Sequence, residues 1–215
     1  MNRVSVSEQH VRLEQRRTGS HSARLQPGAA IAPLALPSIR SGLTRIPDSS
    51  RVTHLQFRRF AGCPVCDLHL QSFVARQHEL VSVVREVIVF HSSREELLRY
   101  AGDLPFAVIA DPGKELYSAF GVESAARSLL NPHAWLPIVK GVARSLGRTL
   151  RHEQSMPPLH PEGGSLGLPA DFLIAQDGRI IASHYGVHAF DQWAVDEVLD
   201  LVNGEHRSTA SDNVG

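Results

Sequence analysis

Cysteine, lysine, methionine and tryptophan are all scarce in this sequence, at two residues each among 215. Two cysteines cannot build the framework of a small disulfide-stapled secreted domain, which uses more of them at wider spacing. No apolar stretch nears the roughly 20 residues of a membrane span, and Met1 to Arg24 shows no apolar run of the kind a secretory signal needs. An excess of one charge is also missing, with 22 basic against 22 acidic residues, so net charge gives no attraction to nucleic acid or anionic lipid. What is present is ordinary: 42% hydrophobic and 20% charged residues exclude a wholly disordered chain and a membrane bundle. A mass of 23.6 kDa suffices for one domain with appended segments.

The balanced charge hides an asymmetry. Residues 1–60 hold 10 Arg and 3 acidic residues, a net +7, leaving −7 for residues 61–215. The arginines are scattered, and without a clustered basic face or a recognition motif they do not make a nucleic-acid site. Residues 1–24 are polar and short of large apolar side chains, so a disordered tail is expected. The domain is expected over 25–204, with a loose polar tail over 205–215. Prolines 27, 33, 37 and 47 exclude a long helix in the entry segment and suit extended edges.

Within the domain, strand and helix signals alternate. Val52 to Phe60 reads as a strand, although His54, Gln56 and Arg58 leave one face polar. From Pro64 to about residue 81 the period turns helical, with Cys66, Leu70, Phe73, Val74 and Val81 on one stripe. Val87 to Phe90 is a continuous apolar run suited to a strand covered on both faces. Ser93-Arg94-Glu95-Glu96 then supplies a capping box for a helix through Tyr100. Phe106 to Ala110 repeats the strand signature, and Asp111-Pro112-Gly113 opens a short helix to about Phe120. Regularity breaks over 124–166, read as an insertion. Its basic helix, Trp135 to Leu150, fits either a lid on the domain or a partner or membrane-surface contact. Phe172 to Ala175, an Asp177-Gly178 turn and Ile180 to Ala182 form a hairpin signal, and a last helix ends near Gly204.

The two cysteines, Cys63 and Cys66, fall at the first strand-to-helix junction. Pro64 at the first helical position costs no hydrogen bond, and Cys63 before it faces the unpaired backbone donors of the helix start. Those donors and the helix dipole favour thiolate, making Cys63 the expected attacking group, with Arg58 or Arg59 adding positive charge. Cys66 shares the stripe of Leu70 and Phe73, so it is expected buried and protonated, placed to resolve whatever Cys63 forms. Two other readings stay open at this level. Cys63, Cys66 and His69 form a C-x2-C-x2-H run that could contribute to a zinc site, although four ligands are needed and no second cysteine pair exists. Both cysteines could also be plain buried apolar residues. A lone CxxC in a βαβ setting suits a reducing compartment, so a cytoplasmic location is expected.

The segment from Phe57 through Ala61-Gly62-Cys63-Pro64-Val65-Cys66-Asp67 to Leu70 resembles the active-site segment of the peroxiredoxin-like family, the alkyl hydroperoxide reductase/thiol-specific antioxidant group. The stretches Asp111 to Gly121 and Gly167 to Ile180 carry the same resemblance, which covers about residues 25–204. It implies an α/β thioredoxin-like fold, a mixed central sheet flanked by helices, with the helical insertion lying before a cis-proline strand. Pro169 would be that proline, part of the platform on which substrate lies. Cys63 would attack a peroxide or a disulfide, and Cys66 would close an intramolecular disulfide that a thioredoxin or glutathione system reopens. No organic cofactor, metal or nucleic acid is implied, and a homodimer is compatible. The sequence departs from peroxiredoxins at Phe60 and Gln56, where the family carries Thr or Ser and Pro. A general thiol-disulfide reductase and a non-catalytic redox-sensing module are the alternatives.

Overall fold

The computed structural model describes residues 23–40, 42–122 and 167–212. The tail expected over 1–24 therefore falls almost wholly outside the described residues, as do the insertion 124–166 and its helix Trp135 to Leu150. The elements in chain order are β1 (Leu34–Pro37), β2 (Leu43–Ile46), β3 (Val52–Arg58), α1 (Pro64–Ala75), α2 (Gln77–Leu80), β4 (Val84–Phe90), α3 (Arg94–Tyr100), β5 (Ala107–Ala110), α4 (Glu115–Ala119), β6 (Ala170–Ile174), β7 (Ile180–Tyr185) and α5 (Val195–Asp212). The proline-rich entry segment makes a small antiparallel hairpin of β1 and β2.

The central sheet has five strands in the order β5-β4-β3-β6-β7. β3 and β4, and β4 and β5, are parallel. β6 lies antiparallel to β3, and β7 antiparallel to β6. This mixed α/β arrangement is the thioredoxin-like fold that the family resemblance implies. β3 is buried along its whole length, and its alternation divides the core. Leu55 and Phe57 join Val87, Val89, Ile109, Phe172 and Ile180 on the face covered by α4, where Phe57 meets Tyr117 edge-on at 4.9 Å. On the opposite face, Leu70 packs with Ile88, Phe90 and Leu97, and Phe73 packs with Leu173, Val198 and Val202. Truncating a buried phenylalanine such as Phe57 costs about 3–5 kcal/mol in cores of this kind.

Local chemistry sets the element ends. Ser93 accepts from the Glu96 amide at 3.3 Å, as the capping box predicts. Asp111 starts α4 by accepting from the amides of Glu115, Leu116 and Tyr117 at 3.0, 2.9 and 3.2 Å. Gly178, at φ +90, turns the β6–β7 hairpin, and a Cβ added there would lie 2.8 Å from the Ile31 carbonyl oxygen.

Three expectations are corrected. The helix predicted over 64–81 is broken at Arg76, whose φ of −109 and ψ of 17 leave helical geometry, so α2 is a separate turn. The last helix continues past Gly204 to Asp212; an Arg179–Glu205 ion pair ties its extension to the hairpin. The cis peptide bond among the described residues is Ile46–Pro47, and Leu168–Pro169 takes the trans form that is the default for prolyl bonds. Pro169 leads directly into β6, and its carbonyl accepts from the Gly186 amide at 2.9 Å.

Candidate active site

β3 ends at Arg58, and the chain turns through Gly62, at φ +77, into α1. That turn sets Cys63 at the position capping α1, in extended conformation, with Pro64 at the first helical position. The site is firmly anchored. The Cys63 amide donates to the Phe60 carbonyl at 3.2 Å, and the Ala61 amide donates to the Ser92 hydroxyl at 2.9 Å. The Cys63 carbonyl accepts the first helical bond, from the Asp67 amide, at 2.9 Å.

Both cysteines are free thiols and nearly inaccessible, at 3% exposure for Cys63 and 2% for Cys66. Their environments drive them apart. The Cys66 thiol donates to the Cys63 sulfur, and this outweighs burial. Helped by the amides of Cys66 and Val65 and by the charge of Arg59, it lowers Cys63 to about 6. The same hydrogen bond, reinforced by burial and by the charge on Cys63, pushes Cys66 well above an ordinary thiol. At neutral pH the arrangement therefore holds one ionised and one protonated sulfur, the pairing that nucleophilic thiol chemistry requires.

Of the two arginines expected beside the pair, Arg59 acts on Cys63. Arg58 turns instead into the sheet. It lies fully buried in a polar strip on the α1 face, with His54, Gln56, Asp171 and the nearly buried Glu86. Arg58 donates to Asp171 Oδ1 at 2.7 Å and to Gln56 Oε1 at 2.6 Å, and it faces His69 Nε2 at 3.2 Å. His54 contacts Glu86 Oε2 at 2.8 Å through Nδ1 and Asp171 Oδ1 at 3.2 Å through Nε2, while Gln56 also donates to Glu86. Burial would lower His54, but Glu86 and Asp171 outweigh it and raise the imidazole to about 9. His69 goes the other way, lowered to about 3 by burial and by the Arg58 charge. Its ring is thus neutral and occupied with Arg58.

Sequence reasoning noticed the polar face of β3 and missed its partners. Glu86 and Asp171 fall beside the apolar runs that marked β4 and β6, and read as polar flanks. The register places Glu86 opposite His54 and Asp171 opposite Gln56. Three polar residues alternating along a central strand, matched by acids next to its neighbours, were the signal. Among the described residues no group of three or more histidine, cysteine or acidic side chains could hold a metal, and no helix is long and apolar enough to cross a membrane.

The comparisons with known proteins fit this architecture. Three solved structures share the fold across most of their length. Peroxidoxin BcpB from Mycobacterium tuberculosis matches with a TM-score of 0.57 at 14% identity, covering 84% of this chain and 98% of its own. A peroxiredoxin-like protein from Aquifex aeolicus matches at 0.57 and 13%, covering 86% and 90%. A protein assigned as the thiol:disulfide interchange protein DsbE from Chlorobium tepidum matches at 0.52 and 18%, covering 83% and 99%. No curated protein sequence matches. The model of the AhpC/TSA antioxidant enzyme family matches residues 69–188, starting just after the cysteine pair and spanning more than half the chain. With its mixed sheet and helix-capping cysteine, this chain belongs to the AhpC/TSA antioxidant enzyme family, a peroxiredoxin-like branch of the thioredoxin fold.

Proposed function

We propose that the protein is a thiol-dependent oxidoreductase in which Cys63 attacks and Cys66 resolves. The observation that carries this reading is the pair of buried thiols at the start of α1, with Cys63 capping the helix and Cys66 in its first turn, an arrangement that lowers Cys63 and raises Cys66. With a hydroperoxide, the Cys63 thiolate takes the terminal oxygen, breaking the O–O bond; the alkoxide leaves as an alcohol with a proton, and Cys63 becomes a sulfenic acid. The Cys66 thiol then displaces water from that sulfur, forming the Cys63–Cys66 disulfide. A dithiol reductant of the thioredoxin or glutathione type returns both thiols. The 3% exposure of Cys63 favours a small oxidant of this sort.

A specific observation supports disulfide exchange as the second reading. Phe60, in the loop, and Gln56, held in the buried strip, occupy the positions where peroxiredoxins orient a peroxide. In that case Cys63 attacks a substrate disulfide, one substrate thiolate leaves, and Cys66 releases the other. In either case Pro169 would form part of the surface on which substrate lies, with Pro64 supporting the pair at the first position of α1. A lone CxxC at a strand-to-helix junction suits a reducing compartment, and a cytoplasmic site of action is part of this reading.

Intact-mass measurement separates the readings. One equivalent of hydrogen peroxide should remove two hydrogens from the wild-type protein and leave a stable sulfenic acid in Cys66→Ser. Oxidation by a glutathione disulfide buffer with no response to peroxide would select disulfide exchange. No change with either oxidant would end the enzymatic reading.

A further inference from the structure

The resolving step has an energetic difficulty built into it. Cys66 is buried, at 2% exposure, and must become a thiolate before it can attack Cys63. In the resting protein three influences oppose this, namely its hydrogen bond to Cys63, its burial and the charge on Cys63. Two of those three vanish once Cys63 has been converted to a mixed disulfide or sulfenic acid. What remains in favour of the Cys66 thiolate is the Arg59 backbone amide and the charge on Arg58.

The position of Arg58 suits that task. It is the last residue of β3, and therefore the member of the buried strip nearest the end of the sheet where the cysteines lie. It is fully buried. His69, one helical turn beyond Cys66 on α1, reaches it at 3.2 Å, so the guanidinium lies under the first turns of that helix. One of its terminal nitrogens is shared among Asp171, Gln56 and His69, while its Nε is buried without a hydrogen-bond partner among the described residues. The strip as a whole balances Arg58 and protonated His54 against Glu86 and Asp171, but its ordering along β3 puts the cationic end toward α1. The groups that act on Cys66 are Cys63, Arg59 through its backbone amide, and Arg58 with Asp171 behind it; Tyr117 of α4, whose phenol burial pushes far up and keeps neutral, also senses it, and His69, one turn on along α1, is neutral.

We infer that Arg58 is a positioning residue for resolution: anchored by Asp171 and Gln56, it holds a fixed positive charge beneath the first turns of α1 that favours the Cys66 thiolate, and that is outweighed by Cys63 until Cys63 has been consumed. Deprotonation of Cys66 is thereby timed to follow attack by Cys63. The inference rests on the assignment of Cys63 as attacking and Cys66 as resolving thiol. In the step concerned, Cys66 loses its proton to water and attacks the Cys63 sulfur of Cys63–S–S–R. The old S–S bond breaks, the Cys63–Cys66 bond forms, and the departing RS⁻ takes up a proton.

The test places a methylthio group on Cys63 of the full-length protein with a small alkyl thiosulfonate, removes excess reagent, and follows loss of methanethiol by quenched mass spectrometry across pH. For wild type, the closure rate should follow an apparent pKa no higher than the ~8.5 of a free thiol. Arg58→Gln should raise that value by about one unit or more, which slows closure at neutral pH about tenfold. Arg58→Lys, which keeps the charge, should stay within about threefold of wild type in rate, at most about half of the tenfold effect on the logarithmic scale. The rate of Cys63 labelling should be unchanged in both variants.

A slowing in Arg58→Gln with no movement of the pH midpoint overturns the inference and leaves a structural role, as does a Lys variant as slow as the Gln variant. If neither variant folds, the wild-type profile decides alone, because a midpoint above about 9, higher than a free thiol, leaves no room for a favourable charge. Failure of Cys63 to take the label, or labelling of Cys66 in its place, would instead bring down the assignment of the two thiols and the inference with it.

Discussion

Arg58 donates to Asp171 at 2.7 Å from a place where neither side chain meets solvent. Burying such a pair is costly unless the remaining polar groups are satisfied, and here Gln56, His69 and His54 supply most of the contacts. The pair is consequently fragile to single changes. Asp171→Asn leaves Arg58 and protonated His54 facing the single carboxylate of Glu86, and should lower the unfolding free energy by about 3–5 kcal/mol in urea denaturation. Replacing both residues, as Arg58→Met with Asp171→Leu, should cost less than the two single changes combined. A strictly additive double variant would mean that the two charges do not communicate.

The thiol pair makes its own prediction. Because the largest influence lowering Cys63 is donation by the Cys66 thiol, Cys66→Ala should move the midpoint of Cys63 alkylation from about 6 toward the ~8.5 of a free thiol. Cys66→Ser keeps a donor and should move it less. Alkylation rates with iodoacetamide across pH measure both. An unmoved midpoint in Cys66→Ala would transfer the effect to the backbone amides and Arg59.

Much of this arrangement was legible because it is local. A proline after a cysteine at a strand-to-helix junction, or a Ser-x-x-Glu before an apolar run, states its geometry within a few residues, and Cys63 and Ser93 sit where those patterns put them. The ionic strip was not legible, since it depends on register between strands distant in sequence. Asp171 lies 113 residues from Arg58, and nothing in either neighbourhood announces the other. The break at Arg76 was hidden for a related reason. The apolar stripe runs through it, while the Arg76 side chain is drawn to Glu79 and Asp196 by contacts of 2.6 Å, the second of them long-range.

Stability should respond to pH through two opposed groups. His54 is near 9 folded, above its ordinary 6.5. Its contribution is therefore complete below about 6.5 and fades as pH rises through about 9. Cys63, near 6 folded and lower than an unfolded thiol, contributes fully above about 8.5 and loses that contribution as pH falls through about 6. Reduced wild type should accordingly show nearly flat stability between pH 7 and 8, the two slopes offsetting, before the raised Cys66 thiol adds a loss of its own above about 8.5. Cys63→Ser removes one slope and should lose about 1 kcal/mol between pH 7 and 8. Chemical denaturation of both proteins under reducing conditions measures this, and a flat profile in Cys63→Ser would show that His54 is not held charged.

Gly186 offers a way to reach the Pro169 segment without touching a cysteine. A side chain there would run into the Asp191 carbonyl and come within 2.9 Å of Pro169 Cγ and 3.0 Å of its carbonyl oxygen. That carbonyl accepts from the Gly186 amide at 2.9 Å, so the two residues are coupled by contact and by hydrogen bond. Gly186→Ala should therefore cost about 1–3 kcal/mol, as overpacking does, and displace Pro169. If Pro169 is part of the platform for substrate disulfides, the variant's KM for a disulfide should rise several-fold while kcat and the Cys63 alkylation midpoint near 6 stay put. Reaction with hydrogen peroxide, too small to need a platform, should change little. Equal losses toward both substrates would place the effect in general destabilisation and remove Pro169 from substrate binding.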